Sequence, residues 1–134
     1  MPFDGKILLA DDEAHIRKFI GLLLRQLGSP TIIEATNGAQ AVKLYQSENP
    51  DLVLLDVNMP EVDGLQALEK IHALDPDCAV IMLTSLTTRQ VIERAAELGA
   101  MNYIRKDTPK EEILATLRQI LDSMFEPDDE TNNT

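Results

Sequence analysis

Short apolar runs alternate along the chain with stretches whose apolar residues recur at helical spacing. Ile7-Leu8-Leu9-Ala10 is an unbroken run of strand length. Ile16, Ile20, Leu23 and Leu27 then recur at i, i+4, i+7 and i+11, with Gly28 expected as the C-cap. Thr31-Ile32-Ile33 predicts a second strand. Asn37 is placed to cap a helix through Ala41, Val42, Leu44 and Tyr45, closed at Asn49-Pro50. Leu52-Val53-Leu54-Leu55 predicts a third strand, and Leu65, Leu68, Ile71 and His72 a short helix. Ala79-Val80-Ile81-Met82-Leu83 predicts a fourth strand. Thr87-Thr88-Arg89-Gln90 resembles a capping box for a helix on Val91, Ala95 and Leu98 that stops at Gly99. Met101-Asn102-Tyr103-Ile104 is a fifth strand of weaker propensity. Thr108-Pro109-Lys110-Glu111 opens a last helix, with proline expected at its first position and an apolar stripe on Ile113, Leu117, Ile120, Leu121 and Met124. Five strands alternating with five helices predict an α/β domain, a (βα)5 doubly wound parallel sheet. Helices on both faces explain why the strands are apolar throughout rather than alternating.

The 134 residues fit one domain over 1–125, followed by an acidic tail over 126–134 in which disorder is expected. Apolar residues at 44% and charged residues at 26% are globular proportions and exclude collagen-like or fully disordered chains. Cys78 is the sole cysteine, so neither a disulfide framework nor a zinc cluster is expected, and a reducing cytoplasm suits the chain. Asp4, Asp11, Asp12 and Glu13 interrupt the first thirty residues, so no leader is expected there. No run reaches the ~18 apolar residues of a membrane span. The net charge is −11, and −7 over the first 125 residues, which argues against direct nucleic-acid binding.

Placing polar residues on this scaffold brings out the chemistry. Asp11 and Asp12 follow the first strand, while Asp56, Thr84 and Lys106 end the third, fourth and fifth. All stand at the carboxyl ends of strands, where open parallel sheets hold ligands. Three carboxylates and one lysine leave about −2 in one crevice, a balance that calls for a cation. Hard oxygen donors favour Mg²⁺. Asp56 could then attack phosphorus while Thr84 and Lys106 face the transferred group. Singly, each has a plainer reading. Asp11-Asp12-Glu13 can cap a helix, Asp56 can belong to a turn before Pro60 and Asp63-Gly64, Thr84 can end a strand, and Lys106 can be a solvated charge. Their convergence carries the argument. Tyr103 reads as half-buried sheet packing. Cys78 falls at the opposite end of the sheet, and His15 and His72 lack partners at metal-ligand spacing. Asn132-Asn133-Thr134 is a chance glycosylation triplet.

Over residues 5–125 the chain resembles the receiver domain of bacterial two-component response regulators. The resemblance rests on four motifs in order: Ile7-Leu8-Leu9-Ala10-Asp11-Asp12-Glu13, Asp56-Val57-Asn58-Met59-Pro60-Glu61-Val62-Asp63-Gly64, Leu83-Thr84-Ser85, and Gly99-Ala100-Met101-Asn102-Tyr103-Ile104-Arg105-Lys106. It implies a flavodoxin-like strand order of 2-1-3-4-5. It implies that Asp56 accepts a phosphoryl group from a sensor histidine kinase or histidine phosphotransfer protein. Mg²⁺ would be bound by Asp12 directly, by Asp11 largely through water, and by Asp56 and the Asn58 carbonyl. Thr84 and Lys106 would contact the phosphoryl oxygens, and Tyr103 would report the active state through its rotamer. Such a domain is not a conventional enzyme, although it catalyses its own phosphorylation and dephosphorylation. Its output face would be helix four, strand five and helix five, where Arg89–Arg118 holds six of the twelve basic residues. The output protein is left open, and a dimer formed on phosphorylation is a further expectation.

Asp107 stands where the family often has proline, with Pro109 two residues on. Lys106-Asp107 resembles regulators that carry a helix-turn-helix domain, so a receiver excerpted from a longer DNA-binding protein is one competing reading. A phosphorylation-independent interaction module is another. An aspartyl phosphatase would need Asp-x-Asp after strand one, and a dinucleotide module a glycine-rich loop there, where Asp11 and Asp12 would repel phosphate. The resemblance further implies that Asn58 and Leu86 flank the path by which water attacks the acyl phosphate. Leu86 offers no hydrogen bond and can exclude solvent, so a long-lived phospho-form is expected.

Overall fold

The computed structural model describes residues 3–59, 62–85 and 89–125. The strands are β1 (Lys6–Ala10), β2 (Thr31–Ala35), β3 (Leu52–Asp56), β4 (Val80–Thr84) and β5 (Asn102–Arg105). They alternate with α1 (Ala14–Arg25), α2 (Gly38–Glu48), α3 (Gly64–Leu74), α4 (Arg89–Glu97) and α5 (Lys110–Phe125). All strand pairings are parallel, in the order β2-β1-β3-β4-β5. The expected (βα)5 doubly wound sheet is therefore present, with its expected strand order.

Every residue of β3 and β4 is buried, as central strands covered on both faces require. Alternation along the strands divides the core. Ile7, Leu9, Leu52, Leu54, Ile81 and Leu83 pack with Ile20, Leu23 and Leu24 of α1 and Ile113, Leu117, Ile120 and Leu121 of α5. Leu8, Ala10, Val53, Leu55, Val80 and Met82 face Ala41 and Tyr45 of α2, Ala67, Leu68 and Ile71 of α3, and Ala95 of α4. Inserting one residue into a central strand would exchange these two sets.

Local chemistry sets the helix ends. Asn37 caps α2 by accepting the Gln40 N–H at 2.8 Å, and Asn49 ends it in the left-handed region at φ 50°. Asp63 and Gln66 form a reciprocal capping box at the start of α3. Gly99 follows α4 at φ 103°, as expected of a terminator. Gly28 departs from expectation. α1 ends at Gln26 without a left-handed cap, and Gly28 instead bridges Phe3, where a Cβ would collide with the Phe3 backbone. Close approach, not positive φ, calls for glycine there. Pro109 stands one residue before α5, and its carbonyl accepts from Glu112 and Ile113. Peptide bonds of the described residues, Lys106–Asp107 included, are trans. Pro60, Glu61, Leu86, the Thr87-Thr88 part of the expected capping box and the 126–134 tail lie outside the described residues.

Candidate functional site

The hydrogen-bond ladder of the sheet runs past the strand ends and carries the polar residues with it. Asp11 N–H donates to Ala35 O at 3.0 Å, Val57 N–H to Leu83 O at 3.1 Å, and Lys106 N–H to Thr84 O at 2.9 Å. Register sets Asp56 beside Leu83 and Thr84 beside Arg105. Parallel pairing thus delivers Asp11, Asp56, Thr84 and Lys106 to the carboxyl end of the sheet, as the sequence predicts. Asp11, Asp56 and Thr84 are buried, at 0%, 3% and 2% exposure. Asp12 and Asn58 are exposed.

Carboxylate oxygens of Asp11, Asp12 and Asp56 lie within 4.8 Å of one another. The Lys106 ammonium reaches Asp11 Oδ2 at 2.7 Å, Asp56 Oδ1 at 3.1 Å and Glu13 Oε1 at 3.5 Å. The Asp11 contact is an ion pair off hydrogen-bond alignment, so among the described residues the buried Oδ2 has no aligned donor. Asp11 Oδ1 accepts the Glu13 N–H at 2.9 Å. Glu13 precedes α1 but makes no side-chain cap. The capping reading of Asp11-Asp12-Glu13 therefore reduces to one Asp11 turn and leaves Asp12 unexplained. Asp56 Oδ1 also receives a long contact from the Asn58 N–H at 3.4 Å.

The electrostatics follow from crowding acids out of water. Burial and then the Asp11 charge raise the Asp56 pKa from 3.8 to about 6, against the lowering effect of Lys106 and the Asn58 amide. Burial alone would lower the Lys106 pKa. The close contact with Asp11 and the charges of Asp56 and Asp11 outweigh it, leaving the ammonium above its ordinary value. One cation does not neutralise this cluster. Three close carboxylates, one exposed and two buried, form a hard oxygen donor set with surplus negative charge, which fits a small divalent cation such as Mg²⁺.

Tyr103, expected to be half-buried, is 41% exposed. β5 is an edge strand, and among the described residues α4 buries only Ala95. The basic residues of this region are partly neutralised in place. Arg89 pairs with Glu93 at 3.6 Å, Arg94 with Glu97 at 3.3 Å, and Arg105 holds both Asp107 oxygens at 3.1 and 2.8 Å. Cys78 precedes β4 at the other end of the sheet, its thiol pKa raised by burial and by Asp75. His15 is exposed, and His72 packs against Gly99. Sequence reasoning missed Arg17, whose guanidinium binds the Asp11 carbonyl at 2.7 Å. A side chain that seeks a backbone acceptor leaves no pairing signal in the sequence.

Residues 7–118 match the family model described as the response regulator receiver domain. The chain is 35% identical to the chemotaxis protein CheY of Bacillus subtilis over 116 residues, covering 87% of this chain and 97% of that protein. It is 33% identical over 117 residues to a putative transcriptional regulator of Pseudomonas aeruginosa, covering 87% of this chain and 56% of that protein. Among solved structures, the CheX–CheY–BeF3–Mg²⁺ complex of Borrelia burgdorferi is similar with a TM-score of 0.80 and 28% identity, covering 87% of this chain and 88% of that one. Vibrio cholerae CheY4 is similar with a TM-score of 0.79 and 26% identity, covering 89% and 100%.

Proposed function

The chain belongs to the response regulator receiver domain family, and from that membership we propose that Asp56 is the phosphoryl acceptor of this two-component signalling switch. The observation that carries the assignment is the Asp56 carboxylate: buried, 3.1 Å from the Lys106 ammonium, and within reach of Asp11 and Asp12. A carboxylate oxygen of Asp56 is the attacking atom. Its bond to phosphorus forms as the bond from phosphorus to the donor's imidazole nitrogen breaks. That nitrogen keeps the electron pair. Lys106 and the Thr84 hydroxyl stabilise charge on the transferred oxygens, so the residues act by position and electrostatics more than by proton transfer.

Asp11, Asp12, Asp56 and the Asn58 carbonyl are the residues that would hold Mg²⁺. When bound, the ion supplies charge neutralisation and orients the phosphoryl oxygens. Residues 1–125 form the receiver and 126–134 an acidic tail. No helix among the described residues is long and apolar enough to cross a membrane. The fitting donor is a sensor histidine kinase or histidine phosphotransfer protein, met by this chain in the cytoplasm. Output runs through α4, β5 and α5, with Thr84 and Tyr103 as the switching pair. Tyr103 is exposed at one end of that path and Thr84 buried at the other. Intact mass after incubation with Mg²⁺ and a small phosphodonor tests the acceptor. Wild type gains one phosphoryl group and Asp56→Asn gains none; equal uptake by both overturns the assignment.

A further inference from the structure

Asp12 is exposed, and among the described residues nothing pairs with it, yet its carboxylate lies within 4.8 Å of two other acids. Like charges at that distance repel. Turning the Asp11–Asp12 peptide would carry the Asp12 carboxylate away and relieve the repulsion, so some feature of the backbone must resist that turn. The Asp11 carbonyl belongs to the same rigid peptide plane as the Asp12 nitrogen, so a grip on that oxygen fixes the direction in which Asp12 leaves the chain.

The grip comes from Arg17, on the first turns of α1. Its Nη1 donates to Asp11 O at 2.7 Å and its Nε to Glu34 Oε1 on β2 at 2.7 Å. The side chain is only 15% exposed. The other polar atoms of Asp11 are held by the sheet or by the acidic cluster itself. Its N–H goes to Ala35 O, Oδ1 to the Glu13 N–H, and Oδ2 to the Lys106 ammonium. Of these atoms the carbonyl alone is held by a side chain from outside the site. A planar guanidinium can bond two acceptors in fixed directions, whereas an ammonium on a flexible stem cannot hold the same fork.

We propose that Arg17 is a positioning residue for the acidic site: by holding the Asp11 carbonyl it keeps the Asp12 carboxylate aimed at Asp11 and Asp56, with Glu34 orienting the guanidinium. The inference rests on the cation-binding reading of that site. It deepens that reading by assigning a residue that touches neither the cation nor the phosphoryl group.

Calorimetric titration of wild type, Arg17→Ala, Arg17→Lys and Glu34→Gln with MgCl₂ tests it, below the unfolding temperature of each. Outer partners of metal ligands typically change affinity by about 10–100-fold, and Arg17→Ala should fall in that range. Arg17→Lys should recover part of the loss. Glu34→Gln leaves a neutral acceptor for Nε and the carbonyl bond intact, so it should stay within about threefold of wild type. A residue that merely staples α1 to β2 would lower the unfolding temperature in both Arg17→Ala and Glu34→Gln and leave Mg²⁺ affinity alone. Affinity of Arg17→Ala within twofold of wild type overturns the proposal. A metal-free reading separates its failure from that of the site. The Glu13 amide, bonded to Asp11 Oδ1, should exchange its hydrogen at least about fivefold faster in Arg17→Ala than in Glu34→Gln. If wild type takes up no Mg²⁺, the cation reading falls and the Glu13 amide alone decides: unchanged protection overturns the positioning role, and lost protection supports it.

Discussion

Replacing Asp56 by asparagine should make the metal-free protein more stable at neutral pH. The carboxyl is 3% exposed, and its pKa rises from 3.8 to about 6 on folding, first through burial and then through Asp11. Between those values the folded chain holds a proton that the unfolded chain has released, so stability falls as pH rises across the window, and the cost is complete above it. At 1.36 kcal/mol per pH unit, the ionised acid costs about 1 kcal/mol at pH 4.5 and about 3 kcal/mol at pH 7. The substituted amide has no such titration, while Lys106 keeps its 2.7 Å contact with Asp11 in the variant. Asp56→Asn should therefore gain about 3 kcal/mol over wild type at pH 7, or roughly 10 °C in midpoint for a chain of this size. The advantage should shrink to about 1 kcal/mol at pH 4.5. Urea unfolding followed by far-UV circular dichroism in chelator-treated buffer measures it, and suits a chain without tryptophan. A variant less stable than wild type at pH 7, or a difference that does not change with pH, refutes the electrostatic account.

Lys106→Met removes the cation that lowers the Asp56 pKa, so the Asp56 carboxyl should titrate above its wild-type value of about 6 in a carbon-13 NMR titration; an unchanged value contradicts the pairing. Gly64→Ala would drive a Cβ into the Asp56 carbonyl. Overpacking of this kind should cost at least about 1–3 kcal/mol in urea unfolding and slow phosphoryl uptake. Added Mg²⁺ should stabilise wild type by mass action, about 2.7 kcal/mol at one hundred times its dissociation constant, with Asp12→Asn losing most of that gain in thermal unfolding at the same Mg²⁺ concentration.

Much of the architecture was legible because it follows from period and topology. Apolar runs in β1, β3 and β4 could be buried only between two helix layers, and parallel pairing then places whatever follows each strand at one end of the sheet. Asp11, Asp56, Thr84 and Lys106 meet for that reason. Tertiary contacts were less legible. Gly28 looked like a helix terminator because helix ends favour glycine, but it answers to the Phe3 backbone, a contact 25 residues away in sequence. Asp63 drew no capping assignment from the sequence, because its half of the box depends on Gln66 reaching back. Asp11 and Asp12 are identical in type and adjacent, yet one is buried and the other exposed. Asp11 extends the sheet ladder and turns its side chain to Lys106, contacts that no side-chain pattern records. Tyr103 is exposed on the edge strand β5, where apolar periodicity alone suggested packing.

The central claim, that Asp56 carries the phosphoryl group, is most directly tested by locating the modification in the chain. Protein phosphorylated by a small donor with Mg²⁺ is treated with borohydride, which reduces an aspartyl phosphate to homoserine, then digested and mapped by tandem mass spectrometry. The account predicts homoserine at position 56, with Asp11 and Asp12 unmodified. Reduction at Asp11 or Asp12 with Asp56 intact would contradict it.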